Sequence, residues 1–148
     1  MLKKIVSLFF MIVGISGACH AAGSYDTNQD ESSNMKSALI FIEKKNFAAA
    51  LKELQIESQI NSYDADVWNL LGFASRKLGK YVVSEKAYKR ALEIDPNHKG
   101  ALEYMGELYI TLTKFKEAED LLAKLRKLCP VGCAELTSLE ASILAHQK

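Results

Sequence analysis

Residues of the same kind recur 34 positions apart along most of this chain. Gly72 and Gly106, Leu78 and Leu112, and Pro96 and Pro130 are identical pairs at that interval. Tyr81 and Phe115, and Tyr88 and Leu122, are apolar pairs. One step back, Ala38 pairs with Gly72, Phe47 with Tyr81, Ala50 with Ser84 and Leu54 with Tyr88. A fixed interval of this length means that one supersecondary unit is copied, and that each copy buries its apolar face against a neighbour. The register divides the chain into units of about 31–64, 65–98 and 99–132.

Within the middle unit, ADVWNLLGFASRKLGKYVVSEKAYKRALEIDPNH, apolar residues fall three or four apart. Trp68, Leu71 and Leu78 form one set; Tyr81, Tyr88, Ala91 and Leu92 form the next. That spacing predicts two antiparallel amphipathic helices per unit. Pro96 and Pro130 stand where the second helix must stop, and Asp95 and Asn97 flank a turn. Ala38, Gly72 and Gly106 mark the place where paired helices cross closely. Gly in a helix interior costs about 1 kcal/mol relative to Ala, so packing has to require it. The aromatics Trp68, Tyr81, Tyr88, Tyr109 and Phe115 are expected in the core. After Pro130 the pattern predicts a short turn and a last helix of about 134–145. Its Leu136, Leu139, Ile143 and Leu144 would cover the final unit, and Glu135, Glu140, His146, Gln147 and Lys148 would form its wet face.

The order Trp68, Leu71, Gly72, Leu78, Gly79, Tyr81, Tyr88, Ala91, Pro96 closely resembles the tetratricopeptide repeat. The first unit departs from the family pattern, with Asn34 where Trp or Leu is favoured and Ser62 where Pro is favoured. The resemblance implies an all-α solenoid of three helix–turn–helix repeats and a capping helix, a domain spanning 34–146. It also implies a non-enzymatic binding scaffold, whose first helices line a concave groove for a protein or peptide. Carried over by position, the groove residues are Met35, Leu39 and Ile42, then Asn69, Phe73, Arg76 and Lys77, then Glu103, Tyr104 and Glu107. The expected surface is apolar at one end, basic in the middle and acidic at the other. One subfamily clamps a partner's C-terminal carboxylate with Lys, Asn and Arg. Here those positions hold Met35, Leu39, Leu70, Gly100 and Tyr104, so that clamp is not implied. An alternative is a groove filled by the protein's own end helix.

The first 22 residues read as a secretory signal. Lys3 and Lys4 precede an apolar run over 5–15, and Ser16, Gly17 and Ala18 precede the cleavage region. Cleavage after Ala21 suits the small-residue rule. The alternative is a lipoprotein signal with Cys19 as the lipidated residue. Residues 23–33 are polar and read as a flexible leader ending in a helix cap at Ser32 or Ser33. The expected location is therefore the periplasm, or an envelope membrane if Cys19 carries a lipid, with no integral span after processing. The 19 basic side chains, less Lys3 and Lys4, fall one short of the 18 acidic ones. A balance that close carries no nucleic-acid footprint and no polybasic membrane signal.

Export places Cys129 and Cys133 in an oxidising compartment, and a disulfide stapling the last helix to the third unit is expected. The pair has three intervening residues, one more than the thioredoxin-like redox motif. His98 and His146 lack ligand spacing to it, so no metal is assigned. No nucleophile–base arrangement and no phosphate loop is legible, no cofactor is implied, and Glu103 and Glu107 share a helix face without a catalytic partner. Two rivals to the adaptor reading remain: an accessory of envelope thiol or cytochrome assembly using Cys129 and Cys133, and a structural oligomer.

Overall fold

In the computed structural model, residues 32–146 are described. The signal segment 1–22, Cys19, the leader as far as residue 31, and Gln147 and Lys148 lie outside the described residues. The elements are α1 (Ser33–Glu43), α2 (Phe47–Ile60), α3 (Ala65–Lys77), α4 (Tyr81–Ile94), α5 (Lys99–Thr111), α6 (Phe115–Leu128) and α7 (Ala134–His146). Each helix packs on the next in the chain, and α5 also packs on α3 and on α7. The fold is an all-helical solenoid, and α7 extends the row of first helices.

Side chains start the first helix of every pair. Ser32 Oγ accepts from the Met35 amide at 3.1 Å, Asp64 Oδ1 from Asp66 at 2.9 Å, and His98 Nδ1 from Ala101 at 3.0 Å. Each supplies an acceptor to an amide that has no partner within its helix. The turn inside each pair is the same conformation three times over. Lys45, Gly79 and Thr113, spaced 34 apart, all have positive φ, at 57°, 72° and 58°. Behind each, an amide reaches back across the turn: Asn46 to the Phe41 carbonyl at 2.8 Å, Lys80 to Ser75 at 2.9 Å and Lys114 to Tyr109 at 2.8 Å. This is the six-to-one closure of a helix end with a left-handed residue. Only Gly79 adopts it without a steric cost.

The middle pair closes around one ring. A Cβ on Gly72 would lie 2.5 Å from Tyr88 Cε1, closer than any real side chain tolerates. Tyr88 is fully buried, and the Ser84 hydroxyl donates to the Gly72 carbonyl at 2.8 Å. Gly106 differs from the expectation. A Cβ there would meet Leu139 of α7 at 2.7 Å rather than its own second helix. The Tyr88 position holds the smaller Leu122 in this unit, and the cap helix comes to lie on Gly106 instead.

Two of the five aromatics expected in the core are corrected. Tyr88 and Tyr109 are buried and Trp68 is half-buried, its Nε1 donating to the Ser62 carbonyl at 3.0 Å. Tyr81 and Phe115 remain 37% and 38% exposed. The equivalent Phe47 lies against Phe73, ring centroids 5.9 Å apart. One and two units on from Phe73 the chain has Glu107 and Ala141, so Tyr81 and Phe115 meet no aromatic in register.

A buried carboxylate ties the first pair together. Glu57, at the end of α2, is 1% exposed. It accepts from Asn34 Nδ2 at 3.3 Å and from Asn61 Nδ2, with Ser32 a third donor. Burial works to raise its pKa, but these hydrogen bonds outweigh burial and hold it below the ordinary 4.5.

Two outcomes follow. Gly72→Leu overpacks the Tyr88 ring and lowers unfolding free energy by about 1–3 kcal/mol in urea melts; an unchanged midpoint contradicts the close crossing. Because the Glu57 carboxylate has a depressed pKa when folded, its contribution is present above pH 4.5 and is lost as pH falls through the folded value. Glu57→Gln therefore melts below the parent chain at neutral pH, and the gap narrows in acid. A gap independent of pH contradicts the buried-carboxylate account.

Candidate functional site

The first helices carry side chains outward on the face away from their second helices. On α3 this face presents Asn69, Phe73, Arg76 and Lys77, spaced by one or two helical turns. Phe73 is the centre of the arrangement. Its ring lies 5.1 Å from that of Tyr104 on α5 and 5.9 Å from Phe47 at the start of α2, an edge-to-face contact. Lys77 Nζ stands 5.3 Å from the ring centroid and Arg76 Cζ 6.0 Å. Cations at these distances are attracted to the aromatic face. Lys77 is exposed and Phe73 and Tyr104 are half-buried, so the cluster is open on one side.

The structure redistributes the expected charges. Arg76 pairs with Glu107 at 3.4 Å, which joins the basic middle to the acidic end that position alone kept separate. Lys77 is left as the exposed cation of the α3 face. Glu107 also accepts from the Ser142 hydroxyl of α7. Burial raises the pKa of Glu103; a Ser138 hydrogen bond opposes this, and the neighbouring Glu107 and Glu135 carboxylates reinforce it. Ser138 and Ser142, both on α7, thus engage the acidic pair of α5. Burial also raises Tyr104, with Glu103 adding to it. It pushes Tyr88 up to about 12 despite the nearby Arg76 guanidinium.

Three buried polar atoms of this region lack hydrogen-bond partners among the described residues: Asn69 Oδ1, Arg76 Nε and the Tyr88 hydroxyl. Asn69 is 6% exposed. A Cβ on Gly100 of α5 would lie 3.1 Å from its Nδ2, so the glycine leaves room for the amide between the two helices.

Not every groove residue anticipated from position reaches this cluster. Met35 is corrected: it is 9% exposed and belongs to the core of the first pair, with Ala38, Leu51 and Leu54. Ile42 packs against that same core, and Leu39 is half-buried on α1. The α1 end of the face is therefore largely fold-building. Phe47, Ser138 and Ser142 belong to the cluster and were not anticipated. The 34-residue step contains the signal for α7. Leu71, Met105 and Leu139 are in register, as are Tyr104 with Ser138 and Leu108 with Ser142. By register α7 is the first helix of a further unit. Leu144 is exposed, whereas Ile110, one interval earlier, is buried, because among the described residues no eighth helix covers it.

At the far end of the array, Cys129 caps α6 and Cys133 precedes α7. Their Cα atoms are 5.7 Å apart, a separation that a disulfide spans, and Cys129 is buried. No group of His, Cys, Asp or Glu with metal-holding geometry occurs among the described residues.

Comparison with known proteins agrees with this architecture. Residues 65–98 match the family model described as tetratricopeptide repeat. A mitochondrial pentatricopeptide repeat-containing protein of Arabidopsis thaliana is 29% identical over 119 residues, covering 72% of this chain and 18% of that protein. The uncharacterized protein ycf37 of Pyropia yezoensis is 30% identical over 96 residues, covering 59% of this chain and 54% of that one. The chain thus spans about half or less of these relatives. Among solved structures, the TPR domain of Arabidopsis OM64 superposes with a TM-score of 0.69 at 18% identity, covering 76% of this chain and 93% of that one. The second TPR domain of human RPAP3, in complex with an HSP70 peptide, gives 0.69 at 18% identity and covers 78% and 93%. The Yersinia enterocolitica type III secretion chaperone SycD, in complex with a peptide of the translocator YopD, gives 0.67 at 18% identity and covers 81% and 97%. Residues 65–98 thus match a tetratricopeptide repeat, the turn conformation of that unit recurs every 34 residues, and the described helices share the fold of these domains.

Proposed function

We propose that this protein is a non-enzymatic adaptor of the cell envelope that holds a protein segment against the α3–α5 face. The observation that carries the reading is the open aromatic cluster of Phe73 and Tyr104, with Lys77 at its rim. A ring exposed on one side and braced on the others offers contact area at little further cost in side-chain entropy. Similar folds in SycD and RPAP3 were solved with bound peptides, which supports a peptide as the ligand class. The expected partner segment carries an apolar anchor for Phe73 and a carboxylate near Lys77.

Location in the envelope rests on the signal read over 1–22, with periplasmic release after Ala21 preferred to a lipid on Cys19. An oxidised Cys129–Cys133 pair belongs to the same proposal. Its short loop gives about 2 kcal/mol in the chain-entropy account. Burial of Cys129 weighs against the rival reading in thiol exchange, since a redox-active sulfur has to be reached.

Phe73→Ala should weaken capture of the partner from envelope extracts by at least about tenfold, the loss of a buried aromatic anchor. Lys77→Glu should weaken it less, and both variants should keep the parent melting temperature. Capture unchanged by both contradicts the groove reading. Intact mass of the exported chain should correspond to a start at Ala22 and a sum two hydrogens below that of free thiols. An uncleaved mass, or two alkylatable cysteines, contradicts the location or the staple respectively.

A further inference from the structure

The near-neutral charge of the chain conceals a segregation that the fold creates. Each turn between the first and second helix of a pair lies on one edge of the array. Each link from one pair to the next lies on the opposite edge. The three turns and the helix starts beside them carry Lys44, Lys45, Lys77, Lys80, Lys114 and Lys116, against the acidic Glu43 and Glu117. Lys44, Lys45, Lys80 and Lys116 have no ion-pair partner among the described residues. Lys114 reaches Glu85 at 3.7 Å while staying 42% exposed. The opposite edge instead carries Asp64, Asp66, Asp95 and Glu135, with Lys99 and His98.

The basic edge is also apolar. Val82 is 71% exposed, and Leu78, Tyr81, Val83 and Phe115 are exposed beside it. Two of these are the aromatics that find no ring in register. The edge is a line of three turns carried on separate helix pairs. A nucleic acid would neutralise the lysines while leaving Val82 and Leu78 without a role. A bilayer surface uses both kinds of residue and needs no shape complementarity. Lysine heads reach phosphate groups while their stems and the neighbouring rings sit at the acyl boundary.

We propose that the turn edge docks on the surface of a phospholipid bilayer containing anionic headgroups. It does so in parallel with the α3–α5 face, leaving the acidic edge pointing away. No described helix is long and apolar enough to cross a membrane, so the contact is peripheral. Attraction of this kind falls off within a Debye length and weakens with salt.

The test uses the full chain, so that the N-terminal apolar run is common to every variant. Trp68 is the sole tryptophan, and Trp68→Phe with Val82→Trp places a reporter on the edge. Its emission should shift to the blue on vesicles of about one third phosphatidylglycerol in phosphatidylcholine, and stay solvent-like on phosphatidylcholine alone. In the unlabelled chain, Lys80→Glu, Lys114→Glu and Lys116→Glu together should cut sedimentation with the anionic vesicles by about tenfold or more, with the thermal melt unchanged. Phe73→Ala should leave sedimentation at the parent level. An unshifted reporter on anionic vesicles overturns the proposal, as does sedimentation insensitive to the triple change. Light scattering that shows self-association abolished by the same lysine changes, without vesicle binding, also overturns it and assigns the edge to a second copy.

Discussion

The close approach of the Tyr88 ring to Gly72 sets the geometry on which the rest of the array depends. With no side chain at Gly72, α4 can lay its largest buried residue directly on α3. That crossing fixes which face of α3 is consumed by the fold. What remains is the face carrying Phe73 and Lys77, with Asn69 and Arg76 turned into the contact with α5. A larger residue at position 72 would shift α4 and with it the orientation of that face, since a packed interior has no slack to absorb the volume. The residues that build the crossing and those free to bind are therefore interleaved along one helix, separated by its period.

Repetition carries the geometry along the chain, and departures from repetition give the face its character. The left-handed turn recurs at Lys45, Gly79 and Thr113, so the three pairs present their first helices in a row. The position of Phe73 is taken by Glu107 in the next unit and by Ala141 in α7. Aromatic surface is thereby concentrated at α3, while Glu107 is drawn into contacts with Arg76 and Ser142. The cap helix does more than cover the last pair: its serines engage the acidic residues that a bare solenoid would leave open.

The all-helical class was legible from the interval with apolar residues three and four apart, and the resemblance of the middle unit to a tetratricopeptide repeat from its fixed residues Trp68 to Pro96. The candidate site was partly legible. Phe73 and Tyr104 follow from register, and the structure brings them together. Met35, in register with Asn69, is buried as that residue is, since its exposure depends on how α1 settles against its neighbours. The neutralisation of Arg76 by Glu107 needs two helices 31 residues apart to meet, which composition cannot report. Nor does a near-neutral net charge reveal lysines gathered on one edge and aspartates on the other. The Glu57 cluster was invisible for the same reason: Ser32, Asn34 and Asn61 are unremarkable until the packing of α1 on α2 brings them to one carboxylate.

The central claim is that a partner's segment lies against Phe73. It is tested most directly by a photoreactive amino acid placed at position 73 and irradiated in living cells. The account predicts one dominant crosslinked protein, joined through a peptide that contains an apolar residue beside a carboxylate, and lost when Lys77 is also changed to Glu. Crosslinks only to this chain's own α7, or none above those from an exposed control position such as Lys124, would contradict it.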